Sequence, residues 1–194
     1  LPIFFGIITL VSLTVNAAPT AYLPIGADNY LQDQVDYLFL LTSGNPMKKP
    51  YSIASIDLAL SKIESSDPSL YQAVNNGLEP YRANNSVSRA GFVARLATDK
   101  DMPIANQRGL SSKENLQGFV EGSWRANGNT VVQAGVEYRA DANTVVPYNT
   151  FVGFSKGNLQ LDLGYREHWY SPFSFSSQLI SNNAEMGPSI TLST

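Results

Sequence analysis

The 194-residue chain contains no cysteine and only one histidine, His168. Without cysteine, a disulfide scaffold, a thiolate zinc site and a cysteine nucleophile are excluded. Charged residues are also scarce, at 15% of the sequence against about 25% in typical soluble proteins. The net charge of −3 argues against nucleic-acid binding, which needs a basic surface. A single histidine also excludes a His-rich metal centre and a pair of catalytic histidines, and we predict no cofactor.

The first 27 residues contain no Asp, Glu, Lys or Arg. An apolar run over residues 2–15 leads into Val15-Asn16-Ala17, a pattern typical of a secretory signal peptide and its small-residue cleavage site. The run is shorter than the roughly 20 apolar residues of a transmembrane helix. We predict a signal peptide over residues 1–17 and an exported protein, with a buried or membrane-anchoring helix as the alternative. Because the chain begins with Leu1, we expect the true N-terminus to lie upstream.

Residues 18–86 are predicted to form a helical segment. Asp28, Ser52 and Asp67-Pro68 are suitable N-terminal residues for three helices. The apolar residues that follow them at helical spacing are Leu31, Val35, Leu38 and Leu41, then Ile53, Ile56, Leu60 and Ile63, then Leu70, Tyr71, Val74 and Leu78. Pro80 is expected to close the third helix. Each helix is too short to be stable alone in water, so the three must pack on a partner.

From residue 87 onward, apolar and polar residues alternate with a period of two, which predicts antiparallel strands. The five runs cover residues 89–96, 116–125, 132–139, 148–155 and 159–166, and a sixth begins near Met186. They are about 8 to 11 residues long, close to the length of a tilted strand that crosses a bilayer. The apolar stripe includes Phe92, Val136 and Leu161. The opposite stripe carries charges of both signs, as the wet interior of a barrel allows.

Two further patterns favour an outer-membrane β-barrel over a soluble β-rich domain. Trp124, Tyr138 and Tyr165 lie at the ends of their apolar stripes, where an interfacial aromatic girdle is expected. Long connections at 97–115 and 140–147 alternate with short ones at 126–130 and 156–158, as external loops and periplasmic turns do. A barrel needs at least eight strands. We therefore predict that residues 87–194 are the first strands of a truncated barrel, with the helical segment in the periplasm.

Residues 168–194 resemble a segment of the Wzi family of capsule-assembly proteins. The similar positions are Trp169-Tyr170, Ser171-Pro172, Ser177 to Ala184 and Pro188 to Leu192. Tyr22-Leu23-Pro24-Ile25-Gly26 before the helical segment is similar too. The resemblance implies an outer-membrane barrel of 18 antiparallel strands with a small periplasmic helical bundle. It also implies a non-enzymatic role in binding capsular or exopolysaccharide at the cell surface and in capsule assembly.

The candidate carbohydrate-binding residues are Arg166, Trp169, Tyr170, Asn182 and Asn183. Aromatic rings stack on the C–H faces of sugars, amides bind hydroxyls, and arginine suits an acidic capsule. Each also has a structural interpretation: the aromatic pair as an interfacial belt, the asparagines as a turn, and Arg166 as one of several arginines that pair with carboxylates across neighbouring strands. The arginines of this polar stripe are Arg89, Arg95, Arg125, Arg139 and Arg166, and the carboxylates are Glu121, Glu137 and Asp162.

Three functions remain open at this point. The first is the polysaccharide-binding outer-membrane protein, whose partners are the polysaccharide and outer-membrane lipid. A porin or solute channel would share the barrel and its polar interior. In a secreted soluble β-rich adhesin, by contrast, both faces of the strands would belong to a fold that is soluble in water.

Overall fold

The structure is a computed structural model that describes residues 19–25, 28–94, 115–126, 128–157, 159–171 and 186–193. The predicted signal peptide, residues 1–17, lies outside them, as do Arg95 and Leu96 of the first predicted strand. The helical segment contains β1 (Tyr22–Leu23), α1 (Asn29–Leu41), β2 (Lys48–Lys49), β3 (Tyr51–Ser52), α2 (Ile53–Leu60), α3 (Pro68–Gly77) and α4 (Glu79–Arg82). The rest is strand: β4 (Asn85–Ala94), β5 (Leu116–Ala126), β6 (Thr130–Arg139), β7 (Thr144–Pro147), β8 (Thr150–Lys156), β9 (Leu159–Tyr165), β10 (Trp169–Tyr170) and β11 (Pro188–Ser193).

The three predicted helix caps are confirmed. The Asp28 side chain accepts hydrogen bonds from the backbone N–H groups of residues 30 and 31, at the start of α1. Ser52 accepts from the N–H of Ser55 at the start of α2. Asp67 accepts from the N–H of Leu70, and Pro68 occupies the first turn of α3. Each cap satisfies a backbone donor that the helix itself cannot pair.

The core of the helical segment differs from the prediction at two positions. Leu41 is 48% exposed, whereas Phe39 is buried and its ring centroid lies 4.5 Å from that of Tyr51. Phe39 continues the stripe of Leu31 and Val35 at the next helical turn, while Leu41 ends the helix on another side. Pro80 does not close α3, which ends at Gly77. It lies in the first turn of α4, where its missing N–H leaves no hydrogen bond unmade.

The strands from β4 onward form one seven-stranded antiparallel sheet. Its order is β11-β9-β8-β6-β5-β4, and β7 pairs with β6 beyond the end of β8. The five predicted runs correspond to β4, β5, β6, β8 and β9, and the sixth to β11. The first strand begins at Asn85, two residues before the predicted boundary at residue 87 and four before the first predicted run, and its register shifts between Val87 and Arg89. In the described part of the chain, β4 and β11 are the two edges of the sheet.

The connection predicted at residues 140–147 is wrong. β6 turns back into β7 through four residues, with Arg139 opposite Thr144. Asn143 adopts a φ of 50° in this turn, and Asn149 adopts a φ of 44° between β7 and β8. Asparagine tolerates this left-handed conformation better than most residues. The change of direction at Asn149 carries Tyr148 to the buried polar face, whereas the alternation placed it with the apolar stripe. Long and short connections therefore do not alternate here.

The two faces of the sheet have the opposite polarity to that of a water-soluble sheet. Glu121 is 1% exposed, whereas the neighbouring Val120 is 44% exposed. Buried polar residues of the strands are Gln117, Glu121, Ser123, Gln133, Glu137, Ser155, Gln160 and Asp162. Exposed apolar residues of the strands include Phe92, Val120, Trp124, Val136, Tyr138, Phe154, Leu163, Ile190 and Leu192. The polar face packs on the helical segment, whose apolar core extends to Val131 and Phe151.

Gly164 is required by the sheet because a side chain has no space there. Its φ is 142°, and a Cβ would lie 2.3 Å from the carbonyl oxygen of Thr150. We expect Gly164→Ala to lower the free energy of unfolding by about 1–3 kcal/mol because it adds backbone strain, measured from the urea midpoint by tryptophan fluorescence. Gly118→Ala is the matched control, since nothing lies within 4 Å of its Cβ position. Equal midpoints for the two variants would contradict this account.

Candidate functional site

The structure brings three of the five predicted site residues to one end of the sheet. Arg166 follows β9, and Trp169 and Tyr170 form β10, which pairs with Lys48–Lys49 of the helical segment. Arg166 is 3% exposed and Trp169 is 5% exposed, while Tyr170 is half-buried beside the ring of His168. Asn182 and Asn183 lie outside the described residues. Neither an exposed aromatic platform nor a lipid-facing belt describes Trp169, because β10 packs against β2.

Arg166 is held in a buried cluster. Its Nη1 donates to Asp162 Oδ2 at 2.7 Å, and its guanidinium carbon lies 3.7 Å from the centroid of the Tyr22 ring. Asp162 also accepts from the Tyr22 hydroxyl at 2.8 Å and from Gln160 Nε2 at 2.7 Å. A buried ion pair is tolerated only when such additional hydrogen bonds complete it. Arg166 therefore does pair with Asp162, but along its own stretch of chain and not across neighbouring strands as predicted, with Tyr22 as a third member.

Residues 20–25 of the helical segment run along the polar face of the sheet. Thr20 N–H donates to Gln160 Oε1 at 2.9 Å, and Gln160 Nε2 donates back to Thr20 O at 3.1 Å. Further along, Ile25 N–H donates to Glu167 Oε2 at 3.0 Å. The sequence prediction missed these contacts because the segment has no periodic pattern. The signal that could have indicated them is the number of amides and carboxylates on the inward stripe, each of which needs a partner once buried.

A second polar cluster lies further across the same face. Gln133 Nε2 donates to Glu121 Oε1 at 2.5 Å. Arg89 Nη1 lies 3.4 Å from the Tyr148 hydroxyl, and its guanidinium carbon lies 4.2 Å from the centroid of the Phe119 ring. The expected pairing of Arg89 with a carboxylate is therefore replaced by contacts with two aromatic rings.

Arg139 does form an ion pair, but on its own strand. Its Nε donates to Glu137 Oε1 at 3.1 Å, two residues earlier in β6. The sequence prediction placed such pairs across neighbouring strands. Successive inward residues of one strand lie close enough for a long arginine side chain to reach the carboxylate.

A groove of about 450 Å³ opens between the helical segment and the sheet, beside the buried cluster of Arg166, Asp162 and Tyr22. Its helical wall includes Phe39, Lys48 and Leu58, and its sheet wall includes Ser155 and Arg166. The groove therefore combines apolar surface with hydroxyl and cationic groups. Its size is typical of a pocket for a small ligand.

Burial changes the acid–base behaviour of several groups in the helical segment and the loop after β9. It raises the pKa of Tyr22 to about 12, although the nearby Arg166 opposes the shift. Burial, followed by the charge of Glu121, raises the pKa of Tyr81 to about 12. Burial lowers the pKa of His168, and the charges of Arg166 and Lys48 add to this effect. His168 Nε2 lies 3.2 Å from Ser189 Oγ.

Within the described residues, no group of three His, Cys, Asp or Glu side chains could hold a metal ion. No helix among these residues combines the length and the apolar character needed to cross a bilayer. Comparisons with protein-family models, with curated proteins and with solved structures found no match to the chain.

The buried cluster predicts a strong effect of Arg166→Met. The substitution leaves the Asp162 carboxylate buried without its cation, and we expect a loss of about 3–5 kcal/mol in the free energy of unfolding. Combining it with Asp162→Asn should recover part of that loss, because the uncompensated charge is gone. The control is Arg82→Met, which breaks a partly exposed pair with Asp57 and two hydrogen bonds to Asn75. Its loss should be clearly smaller, because the groups left behind can reach water. Urea titration of the four proteins would measure this, and equal losses for the Arg166 and Arg82 variants would contradict it.

The raised pKa of Tyr81 predicts a loss of stability in alkali. The folded protein favours the neutral phenol, so this contribution is complete below the ordinary tyrosine pKa of about 10. It is lost as the pH rises through the folded value of about 12. We expect the urea midpoint of Tyr81→Phe to fall less steeply between pH 10 and pH 12 than that of the unchanged protein. Tyr30→Phe, on the exposed side of α1, controls for the removal of a tyrosine hydroxyl, and parallel curves for the unchanged and Tyr81→Phe proteins would refute the assignment.

Proposed function

We propose that this chain is the N-terminal part of a Wzi-type outer-membrane protein that binds capsular or exopolysaccharide and supports capsule attachment. In this proposal, residues 1–17 are the signal peptide and the helical segment 18–86 is periplasmic. Residues 87–194 contribute the first strands of an 18-stranded antiparallel barrel. The protein has no enzymatic activity and needs no cofactor, and its partners are the polysaccharide and outer-membrane lipid.

The observation that carries the membrane part of the proposal is the inverted polarity of the seven-stranded sheet. Val120 and Val136 lie opposite each other on β5 and β6, and both are more than 40% exposed. Large contiguous apolar surfaces are rare on soluble monomers and indicate contact with a partner or a membrane. A lipid-facing apolar band with a polar interior is the arrangement of outer-membrane barrels. It supports the barrel over a secreted soluble adhesin.

The positions of the aromatic residues add support. Trp124 lies near the end of β5, and Tyr138 lies near the end of β6, at the opposite end of the sheet. Both side chains are on the apolar face and exposed, by 53% and 42% respectively. Val120 and Val136 lie between them, and Val132 lies opposite Trp124. Aromatic residues at both margins of an apolar band are typical of strands that span a membrane.

The helical segment supports a binding protein over a porin. Residues 20–25 cross the polar face of the sheet and hydrogen-bond to side chains of β9 and of the loop after it. A channel needs this face to be open to water. The assignment of polysaccharide as the ligand comes from the resemblance of residues 168–194.

If the apolar face contacts lipid, the free-energy cost of introducing a charge there should depend on how deep the residue lies in the bilayer. If Val136 contacts acyl chains near the middle of the bilayer, Val136→Arg should cost about 2–4 kcal/mol. Val145→Arg is the control, since Val145 lies on the same face near the β6–β7 turn and the cost falls to about 0–1 kcal/mol near an interface. The measurement is the urea midpoint of the full-length protein folded into lipid vesicles, together with its amount in outer-membrane fractions. An exposed valine of a soluble sheet would tolerate both changes, so two neutral variants would refute the membrane assignment.

The capsule role is tested by deleting the gene and comparing cell-associated with shed polysaccharide. We expect polysaccharide to move from the cells to the medium, and restoring the full-length gene should reverse this. Unchanged retention would count against the capsule role. Ion conductance of the purified protein in planar bilayers would instead favour the porin.

A further inference from the structure

The groove between the helical segment and the sheet opens at one margin of the apolar face of the sheet. Leu159, which lines the groove, is the first residue of β9 and begins the apolar stripe that continues through Leu161 and Leu163. Its side chain is 48% exposed. Because Leu159 belongs to both surfaces, the groove and the apolar face meet at the hairpin between β8 and β9.

The same margin carries the charge of the apolar face. Within the described strands, Lys156 of β8 is the only charged residue that the register places on this face, and it lies directly opposite Leu159. Trp124 lies toward the same end of the sheet. A lysine and a tryptophan at the margin of an apolar band are typical of the level at which lipid headgroups lie.

The helical wall of the groove has an apolar strip that the core does not use. Ala54 and Leu58 line the groove from α2, one turn apart and therefore on one side of the helix. Both are exposed, Leu58 by 65%. The core takes the other side of α2, where Ile53, Ile56 and Leu60 are buried.

A lysine of β2 gives the groove a positive charge. The side chain of Lys49 is buried and pairs with Asp36. Lys48 precedes it in the strand, so its side chain points the opposite way; it lines the groove and is exposed. In the part of the chain that the structure describes, Lys48 has no ion-pair partner, and no carboxylate is among the residues that line the groove. An ammonium only donates hydrogen bonds, so Lys48 favours an anionic group.

We propose that this groove binds an anionic phospholipid from the periplasmic leaflet of the outer membrane. One acyl chain lies between Leu58 and Leu159, and the phosphate accepts hydrogen bonds from Lys48. The inference rests on the membrane part of the proposed function and adds a defined lipid site where the helical segment meets the sheet. In that topology the short turn at 156–158 is periplasmic, so the groove opens at the level of the inner headgroups.

The test compares two lipids with identical dioleoyl chains: phosphatidylglycerol, which has a net negative charge, and phosphatidylcholine, which has none. The full-length protein is purified in a neutral detergent and titrated with each lipid, and bound lipid is counted by native mass spectrometry. We expect one phosphatidylglycerol per protein to bind several-fold more tightly than phosphatidylcholine, because Lys48 prefers an anion. Equal binding of the two lipids, or no lipid retained in a fixed ratio, would overturn the proposal.

Two variants locate the lipid in the groove. Lys48→Gln should lower the affinity for phosphatidylglycerol about tenfold, the loss of one charge-assisted hydrogen bond, and leave phosphatidylcholine unaffected. Leu58→Gln should weaken both lipids several-fold, because the acyl chain loses apolar contact. Lys62→Gln and Leu40→Gln are the matched controls, since both residues are exposed on the helical segment outside the groove. If the Lys48 and Lys62 variants bind phosphatidylglycerol equally, the groove is not the site.

Lys156→Gln distinguishes the groove from the apolar face beside it. Lys156 is exposed and is not among the described residues that line the groove, so this change should weaken phosphatidylglycerol less than Lys48→Gln does. If Lys156→Gln removes the bound lipid and Lys48→Gln does not, the lipid lies on the outer surface of the strands and the proposal is wrong.

This inference and the function on which it rests fail in different ways. If Val136→Arg is costly in vesicles while Lys48→Gln does not change lipid binding, the membrane assignment stands and the groove assignment is wrong. If Val136→Arg and Val145→Arg are both neutral, the membrane assignment fails and the periplasmic-leaflet lipid fails with it. The capsule role is measured separately by polysaccharide retention, which none of these lipid measurements uses.

Discussion

Burial of the polar face is the constraint on which the rest of this structure depends. A charge or an amide that leaves water must find a partner, and an unpaired one costs more than most packing defects. The Arg166–Asp162 pair satisfies this requirement with Tyr22 and Gln160 as additional partners. Arg89 meets part of this requirement by packing its guanidinium against aromatic rings. The face is thus a connected network rather than a set of separate pairs, and removing one member exposes the others to the same penalty.

The helical segment is part of that network. Its residues 20–25 supply backbone groups to Gln160 and Glu167, and the Tyr22 ring covers the Arg166 guanidinium. The same segment contributes the apolar core that reaches Val131 and Phe151 on the sheet. The helical segment presents polar groups to the polar part of the sheet and apolar groups to its apolar part. These matching contacts fix its position on the sheet. The short β2–β10 pairing attaches the helical segment a second time, beyond the C-terminal end of β9.

The elements that the sequence predicts well are those specified by neighbouring residues. The caps at Asp28, Ser52 and Asp67 depend on one side chain and the next turn of backbone. Strand alternation depends only on the pleat. The prediction failed where a local conformation interrupts the pattern, as at Asn149, whose positive φ moves Tyr148 to the other face. Leu41 failed for a related reason, since the last turn of a helix need not follow the stripe that precedes it.

The candidate site was less predictable because its members are distant in sequence. Arg166 was identified because it lies just before Trp169-Tyr170, but its ion pair with Asp162 runs along the chain, whereas the prediction placed such pairs across neighbouring strands. Its contact with Tyr22 and the burial of Trp169 against β2 depend on tertiary packing that no periodicity encodes. Carbohydrate binding by Trp169 and Tyr170 stays a prediction.

The hydrogen bonds between residues 20–25 and residues 160–167 join groups up to 142 positions apart. During synthesis the N-terminal part emerges first, whereas Gln160, Asp162 and Glu167 are made long afterwards. Closing such a distant contact is slow because the intervening chain must first lose its freedom. The early helices can therefore form locally, but the surface on which they finally pack exists only once the chain through β9 and Glu167 has been made. Docking of the helical segment on the sheet is consequently a late step.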